Sequence, residues 1–348
     1  MPVRCGMIRS GWAGPAGEPG RLGLASLERY ETDGDREALT VALAQLEQAV
    51  AATPDHPERM RWWYGLGSGY ECRAEEDDSV EDYDRALHWY ALLLDEMAAT
   101  DSHRSTVVLA DAGVHWSRYW LVRYGVESPD AGPRDPAALV DGLVAAVDRY
   151  PPGNGDPLAA AFVGMIRGLS YQERYELRHD PADRDRATQL LATCLPDLPD
   201  DTPWLAMATF ELATAYREGH ARDGDPQLLE LAIAAGARAI LLAREDQPTW
   251  LSAQEHQALC LTRRWRLAGD HRDLDRAIES CRLVLGRADD GWAAALGGEL
   301  LRERGELVGD STDVAEASRL LTRADPLLLA DLRAPIRSFW GGTVRRGG

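Results

Sequence analysis

Apolar and polar residues never alternate along this chain for long enough, or with enough Val, Ile and Thr, to predict a strand. Apolar positions fall instead into helical patterns separated by Pro, Gly and Asp. One phrase recurs. Asp273-Leu274-Asp275-Arg276-Ala277-Ile278 is echoed at 82–87, at 183–187 and, as Leu228-Leu229-Glu230-Leu231-Ala232-Ile233, in between. Weaker copies centre on Ala42, Gly142 and Ala317, and the small residue repeats at spacings of 44, 56, 45, 45, 45 and 40.

A second small residue lies 19 positions upstream in six copies, at Gly23, Gly67, Gly168, Ala213, Ala258 and Gly298. In the third copy Gly113 precedes Gly142 by 29, and the Pro/Gly-rich insertion 127–135 accounts for the excess. Three residues after the small position comes Tyr70, Trp116, Tyr171 or Tyr216. Each unit therefore predicts two helices of about 16 to 20 residues, about 25 to 30 Å long. The second helices should be capped by Asp35, Ser79, Asp135, Asp180, Asp225, Asp270 and Asp310. The paired small residues are expected to mark where consecutive hairpins press together. The expected architecture is all-α, a right-handed solenoid of about seven helix hairpins with units near 20–57, 58–102, 103–156, 157–202, 203–248, 249–289 and 290–325. A flexible segment 1–19 precedes them, and a capping helix and mobile tail, 326–348, follow.

Charge narrows the partners. A formal net charge of −19 repels a phosphate backbone, so nucleic acid is excluded as a partner. Apolar runs too short to span a bilayer and the lack of a signal-peptide core predict a cytoplasmic protein with no membrane contact. The five cysteines are widely spaced, without a CxxC pair, and suit buried apolar roles in a reducing compartment.

Trp63-Tyr64-Gly65-Leu66-Gly67-Ser68-Gly69-Tyr70 resembles the first-helix signature of tetratricopeptide repeats, and Ala86 with Tyr90 is similar to its second helix. With its longer period and DLDRAI phrase, the pattern resembles the repeats that accompany CHAT-type peptidase domains or signalling ATPases in actinobacterial proteins. The resemblance implies a concave groove lined by first helices. Carried onto matching positions, the lining is Arg61, Tyr64, Ser68, Arg118, Gln172, Arg217, Glu255, Arg263, Trp292 and Arg302. Arg73, Arg174, Arg264 and Arg304, each six residues after the small position, form a ladder. It either holds an acidic ligand or pairs with Asp82, Asp183 and Asp273, and the neighbouring repeated aspartates favour pairing.

No phosphate loop, nucleophile elbow, metal-spaced His/Cys set or EF-hand occurs, so no catalytic residue, cofactor or metal is assigned. The 23 or so residues after the last unit are too few for a catalytic domain. The expectation is a non-enzymatic scaffold or adaptor in signalling or regulated proteolysis, binding a protein or peptide that would be acidic if the ladder receives it. A ligand-responsive sensor and an enzyme with a groove pocket are the alternatives.

Overall fold

The computed structural model describes residues 18–98, 101, 103–124, 135–150, 156–202, 204–245 and 248–324. Most of the expected leading segment 1–19, the insertion as far as residue 134, and the expected cap and tail 326–348 lie outside the described residues. Among those described there is no strand. The helices are α1 (Glu18–Asp33), α2 (Arg36–Ala52), α3 (Arg59–Asp77), α4 (Val80–Glu96), α5 (Arg104–Tyr124), α6 (Pro136–Asp148), α7 (Pro157–Arg178), α8 (Pro181–Cys194), α9 (Leu205–Asp223), α10 (Pro226–Leu242), α11 (Pro248–Ala268), α12 (His271–Leu285), α13 (Gly291–Val308) and α14 (Ser311–Arg323). They pair in order as hairpins, each packed on the next within its own unit. Two compact units result, Met1–Leu198 with four hairpins and Pro199–Gly348 with three.

The expected cap opens every second helix. Asp35, Ser79, Asp135, Asp180, Asp225, Asp270 and Asp310 each accept a hydrogen bond from a backbone N–H of the first turn. Each such cap contributes about 1 kcal/mol. Several first helices end in a left-handed residue, as at Gly224 and Gly309, so the chain reverses within two residues.

The paired small residues do pack, but inside a hairpin rather than between hairpins. A β-carbon added at Gly23, Gly67, Gly168 or Gly298 would lie 2.5 to 2.8 Å from Leu46, Tyr90, Leu191 or Leu321, each four residues past the second small position of the same hairpin. Glycine faces Leu or Tyr at this contact in four hairpins, whereas the hairpins with Ala213 and Ala258 at the first small position carry Gly236 and Cys281 at the same offset in sequence. The seams between hairpins use other glycines, Gly65 against Leu46 and Leu24 and Gly297 against Cys281.

Hairpin α5–α6 departs from the expected register. Gly142 is exposed, and α6 buries Val140, Leu143, Val144 and Val147 instead. The helix is turned by about one residue relative to the other second helices, which moves the small residue off the contact.

First helices of successive hairpins touch within each unit: α1 with α3, α3 with α5 and α5 with α7, then α9 with α11 in the second. Second helices of successive hairpins show no comparable packing among the described residues. Contact between successive hairpins through their like helices thus runs through the first helices.

Candidate functional site

The arginine ladder is intramolecular. Arg73 Nε and Nη2 donate to the two carboxylate oxygens of Asp82 at 2.7 Å. The same two-pronged pair forms between Arg174 and Asp183, Arg264 and Asp273, and Arg304 and Asp313, always nine residues apart and at 2.6 to 2.8 Å. The aspartates are buried in the first turn of the second helix, where their charge also meets its dipole. Beneath two of the guanidiniums lie tyrosine rings, Tyr70 at 5.0 Å and Tyr171 at 4.9 Å. Arg264 and Arg304 reach further, back to Glu230 and Asp275 of the preceding hairpin. Arg118 makes the equivalent reach from α5 to Asp84 on α4. Of the two readings of the ladder, pairing is the one observed.

The other residues expected in the groove are scattered over the first helices. Arg61 and Tyr64 lie partly buried on α3, with the Tyr64 ring tilted against Tyr90 at 6.1 Å. Ser68, Gln172 and Trp292 are buried within the packing, and the Trp292 ring belongs to the apolar core of the second unit. Arg302 donates to Glu299 and Glu306 on its own helix. Arg217 of α9, with Glu255 and Arg263 of α11, are partly buried on two helices that touch.

Two polar clusters had no periodic signal to reveal them. In the first, Asp111 of α5 is fully buried and accepts hydrogen bonds from the Tyr150 hydroxyl and from Arg149. His115 stands 3.7 Å from that carboxylate, and burial, reinforced by Arg149 and Arg118 against the pull of Asp111, holds it down to about 4. In the second, Glu173 of α7 accepts from Tyr119 at 2.9 Å and Tyr124 at 3.0 Å, which ties α7 to α5. Burial pushes the Glu173 carboxyl above its ordinary range, with both tyrosines and Arg123 opposing. Asp111 and Glu173 occupy no repeated position, so only their unusual place among apolar neighbours could have marked them.

In the second unit, Cys260 and His256 approach within 3.6 Å, a separation open to nucleophilic chemistry. Their electrostatics oppose it. Burial drives the thiol to about 12 and, with Arg217 adding to it, the imidazole to about 3, so both are neutral at pH 7. No group of three or more metal-ligating side chains occurs among the described residues.

No family model and no curated protein matches this sequence. Among solved structures, the chain is similar to the S. pombe nuclear import adaptor Nro1 at 13% identity and a TM-score of 0.49, over 78% of this chain and 97% of that one. A second structure of Nro1, described as a hypoxic regulator of sterol synthesis, is similar at 12% and 0.48, over 90% and 97%. A tetratricopeptide repeat protein from Parabacteroides merdae is similar at 13% and 0.42, over 93% and 100%. The all-α hairpin architecture stands on the helices themselves.

Proposed function

We propose that this chain is a non-catalytic scaffold or adaptor that binds a peptide or protein segment along the inner face of its first helices. The observation that carries the reading is the packing of first helix on first helix, along α1, α3, α5 and α7 in the first unit and between α9 and α11 in the second, which sets their side chains side by side. With the ladder arginines held by aspartates, recognition falls to the partly buried polar side chains beside them. The resemblance of the repeat phrase to CHAT- and ATPase-associated repeats supports a role in signalling or regulated proteolysis. A cytoplasmic setting suits the four described cysteines, all buried and none in a disulfide, and no described helix is long and apolar enough to cross a membrane.

The test is a peptide-array screen, followed by fluorescence anisotropy of the best binder with two variants of equal melting temperature. Tyr64→Ala/Glu255→Ala/Arg302→Ala alters the inner face, and Arg276→Ala/Glu279→Ala alters exposed positions on α12. Affinity should fall by at least about tenfold in the first and by less than about twofold in the second. Equal losses in both, or none in the first, would reject the inner face as the binding surface.

A further inference from the structure

Hairpin α9–α10 breaks the common pattern at three positions, two where its helices meet near the turn and one farther along α10 against α11. Where four other hairpins carry the ladder arginine it has Gly219, and where they carry the aspartate it has Leu228, whose side chain lies 3.0 Å from a β-carbon built at 219. Where four other hairpins place Leu or Tyr it has Gly236. Polar side chains from α11 take that room: a β-carbon at 236 would lie 2.8 Å from Gln257 Oε1 and 2.9 Å from His256 Nδ1.

These groups are not matched as polar groups in a core normally are. Gln257 is 4% exposed, and neither its amide oxygen nor its nitrogen has a hydrogen-bond partner. Arg217, beside His256 and Cys260, has a buried Nε with no acceptor. Farther along α11, Arg263 Nε donates to His220 Nε2 at 3.4 Å. His220 Nδ1 lies 2.8 Å from the Asp225 carbonyl, so Nδ1 carries the proton and Nε2 accepts. Among the described residues neither Arg217 nor Arg263 has a carboxylate within ion-pair distance. The chain has 57 acidic residues, and it gives each ladder arginine a two-pronged partner. Drawing a guanidinium partly out of water is unfavourable until an anion meets it.

We propose that Arg217 and Arg263 are the anchor of an extended acidic peptide, each taking one side-chain carboxylate from an Asp/Glu-x-Asp/Glu sequence. The proposal rests on the inner-face reading above and names the chemistry it selects. Helices α9 and α11 run parallel and touch, and packed helices lie about 8 to 10 Å apart. Same-face residues of an extended strand repeat every 6.6 Å or so, a difference that two flexible arginines absorb. A chain terminus presents one carboxylate and engages one arginine. A guanidinium binds a carboxylate through two parallel N–H donors, which favours this ligand over a neutral amide. His256 and Gln257 line the site without adding negative charge, and the neighbouring Glu218 carboxyl, which feels Arg217 without pairing with it, is pushed above its ordinary range by burial.

The experiment uses the full chain and a fluorescein-labelled, C-terminally amidated peptide with Glu-Ser-Glu at its centre. Its comparison is the Gln-Ser-Gln peptide, with an amidated or a free C-terminus. Arg217→Gln and Arg263→Gln should each weaken Glu-Ser-Glu binding by about tenfold and the double variant by about a hundredfold, with unchanged melting temperature. The amidated Gln-Ser-Gln peptide should bind at the level of the double variant, and the free-terminus one no more tightly than Glu-Ser-Glu binds a single variant. The anchor is refuted by full affinity in the double variant, by equal binding of the free-terminus Gln peptide, or by displacement of the Glu peptide with sub-millimolar inorganic phosphate. Failure of the anchor is distinguishable from failure of the inner face. If the double variant binds normally while Tyr64→Ala/Glu255→Ala/Arg302→Ala does not, only the anchor falls.

Discussion

Hairpins α9–α10 and α11–α12 follow each other in one unit and share length, cap and turn, yet they solve the same contact with opposite chemistry. In α11–α12, Arg264 clasps Asp273; in α9–α10 the matching positions are Gly219 and Leu228. Both hairpins close. The ion pair is therefore one of two ways to fill the wedge between a first helix and the start of its second. An apolar filling of similar shape can replace a buried pair without loss, whereas half a pair cannot stand alone. Spacing and capping dictate the hairpin, and the ladder positions are free to carry either solution.

The largest expected effect comes from breaking that equivalence. Asp273→Leu leaves the Arg264 guanidinium without its two-pronged acceptor and should destabilise the second unit by about 3 kcal/mol. Adding Arg264→Gly copies the neighbouring hairpin and should restore about 2 kcal/mol, the remainder reflecting a helical glycine and the lost contact to Glu230. Urea unfolding of both variants checks this. A double variant no more stable than Asp273→Leu alone would mean that the Gly–Leu solution depends on something private to α9–α10.

A smaller effect separates α11 from α13. Two residues before the small position α11 carries His256, seated against Gly236, and α13 carries Leu296. The folded state holds His256 to about 3, mainly by burial and then by Arg217, whereas an unfolded histidine titrates near 6.5. Between those values the unfolded chain binds a proton that the folded chain refuses, so stability falls as pH drops from about 6.5 toward 3. From pH 7 to pH 5 the loss should be about 2 kcal/mol for this group. His256→Leu, which copies α13, should remove that portion of the acid dependence, measured as the difference in unfolding free energy at the two pH values. An acid dependence unchanged by the substitution would show that His256 is not the group responsible. His115, held to about 4, adds a loss of the same sign in the first unit.

What could be read from the sequence divides along the same line as the two hairpins. Features that every unit repeats were legible: all seven second-helix caps, and the pairing of Arg73, Arg174 and Arg264 with Asp82, Asp183 and Asp273, follow from fixed spacing. Spacing fixes separation along the chain but does not say which helices meet, so the small-residue contacts were expected between hairpins and lie within them. Gly142 keeps its distance from Asp135, yet it faces solvent because α6 is turned on its axis. Features that occur once were invisible. Asp111 with Tyr150, and Glu173 with Tyr119, depend on tertiary approach of residues 39 and 54 positions apart. Arg217 and Arg263 stood among the candidates by position, but their lack of an acidic partner could be suspected only from the change of DLDRAI to LLELAI.

The smallest effect tests volume compensation at the contact between the two helices of a hairpin. Gly298 faces Leu321, and a β-carbon there would lie 2.8 Å from the Leu321 branch point, whereas α11–α12 carries Ala258 and Cys281 at the matching sequence positions. Gly298→Ala relieves the entropic penalty of a helical glycine but overpacks the interface, because the atom it meets is the branch point of a side chain wedged between helices. The net destabilisation should be about 1 kcal/mol. Leu321→Cys alone opens a small cavity and should also destabilise. Together the two changes reproduce α11–α12, and their combined loss should fall short of the sum by at least about 0.5 kcal/mol, a coupling that a double-mutant cycle in urea resolves. Additive losses would mean that the alternation of Gly–Leu and Ala–Cys along the chain does not reflect one shared wedge of volume. Coupling of the expected sign would make position 298 and position 321 a single design unit, transferable between hairpins in the way the Arg–Asp and Gly–Leu pairs are.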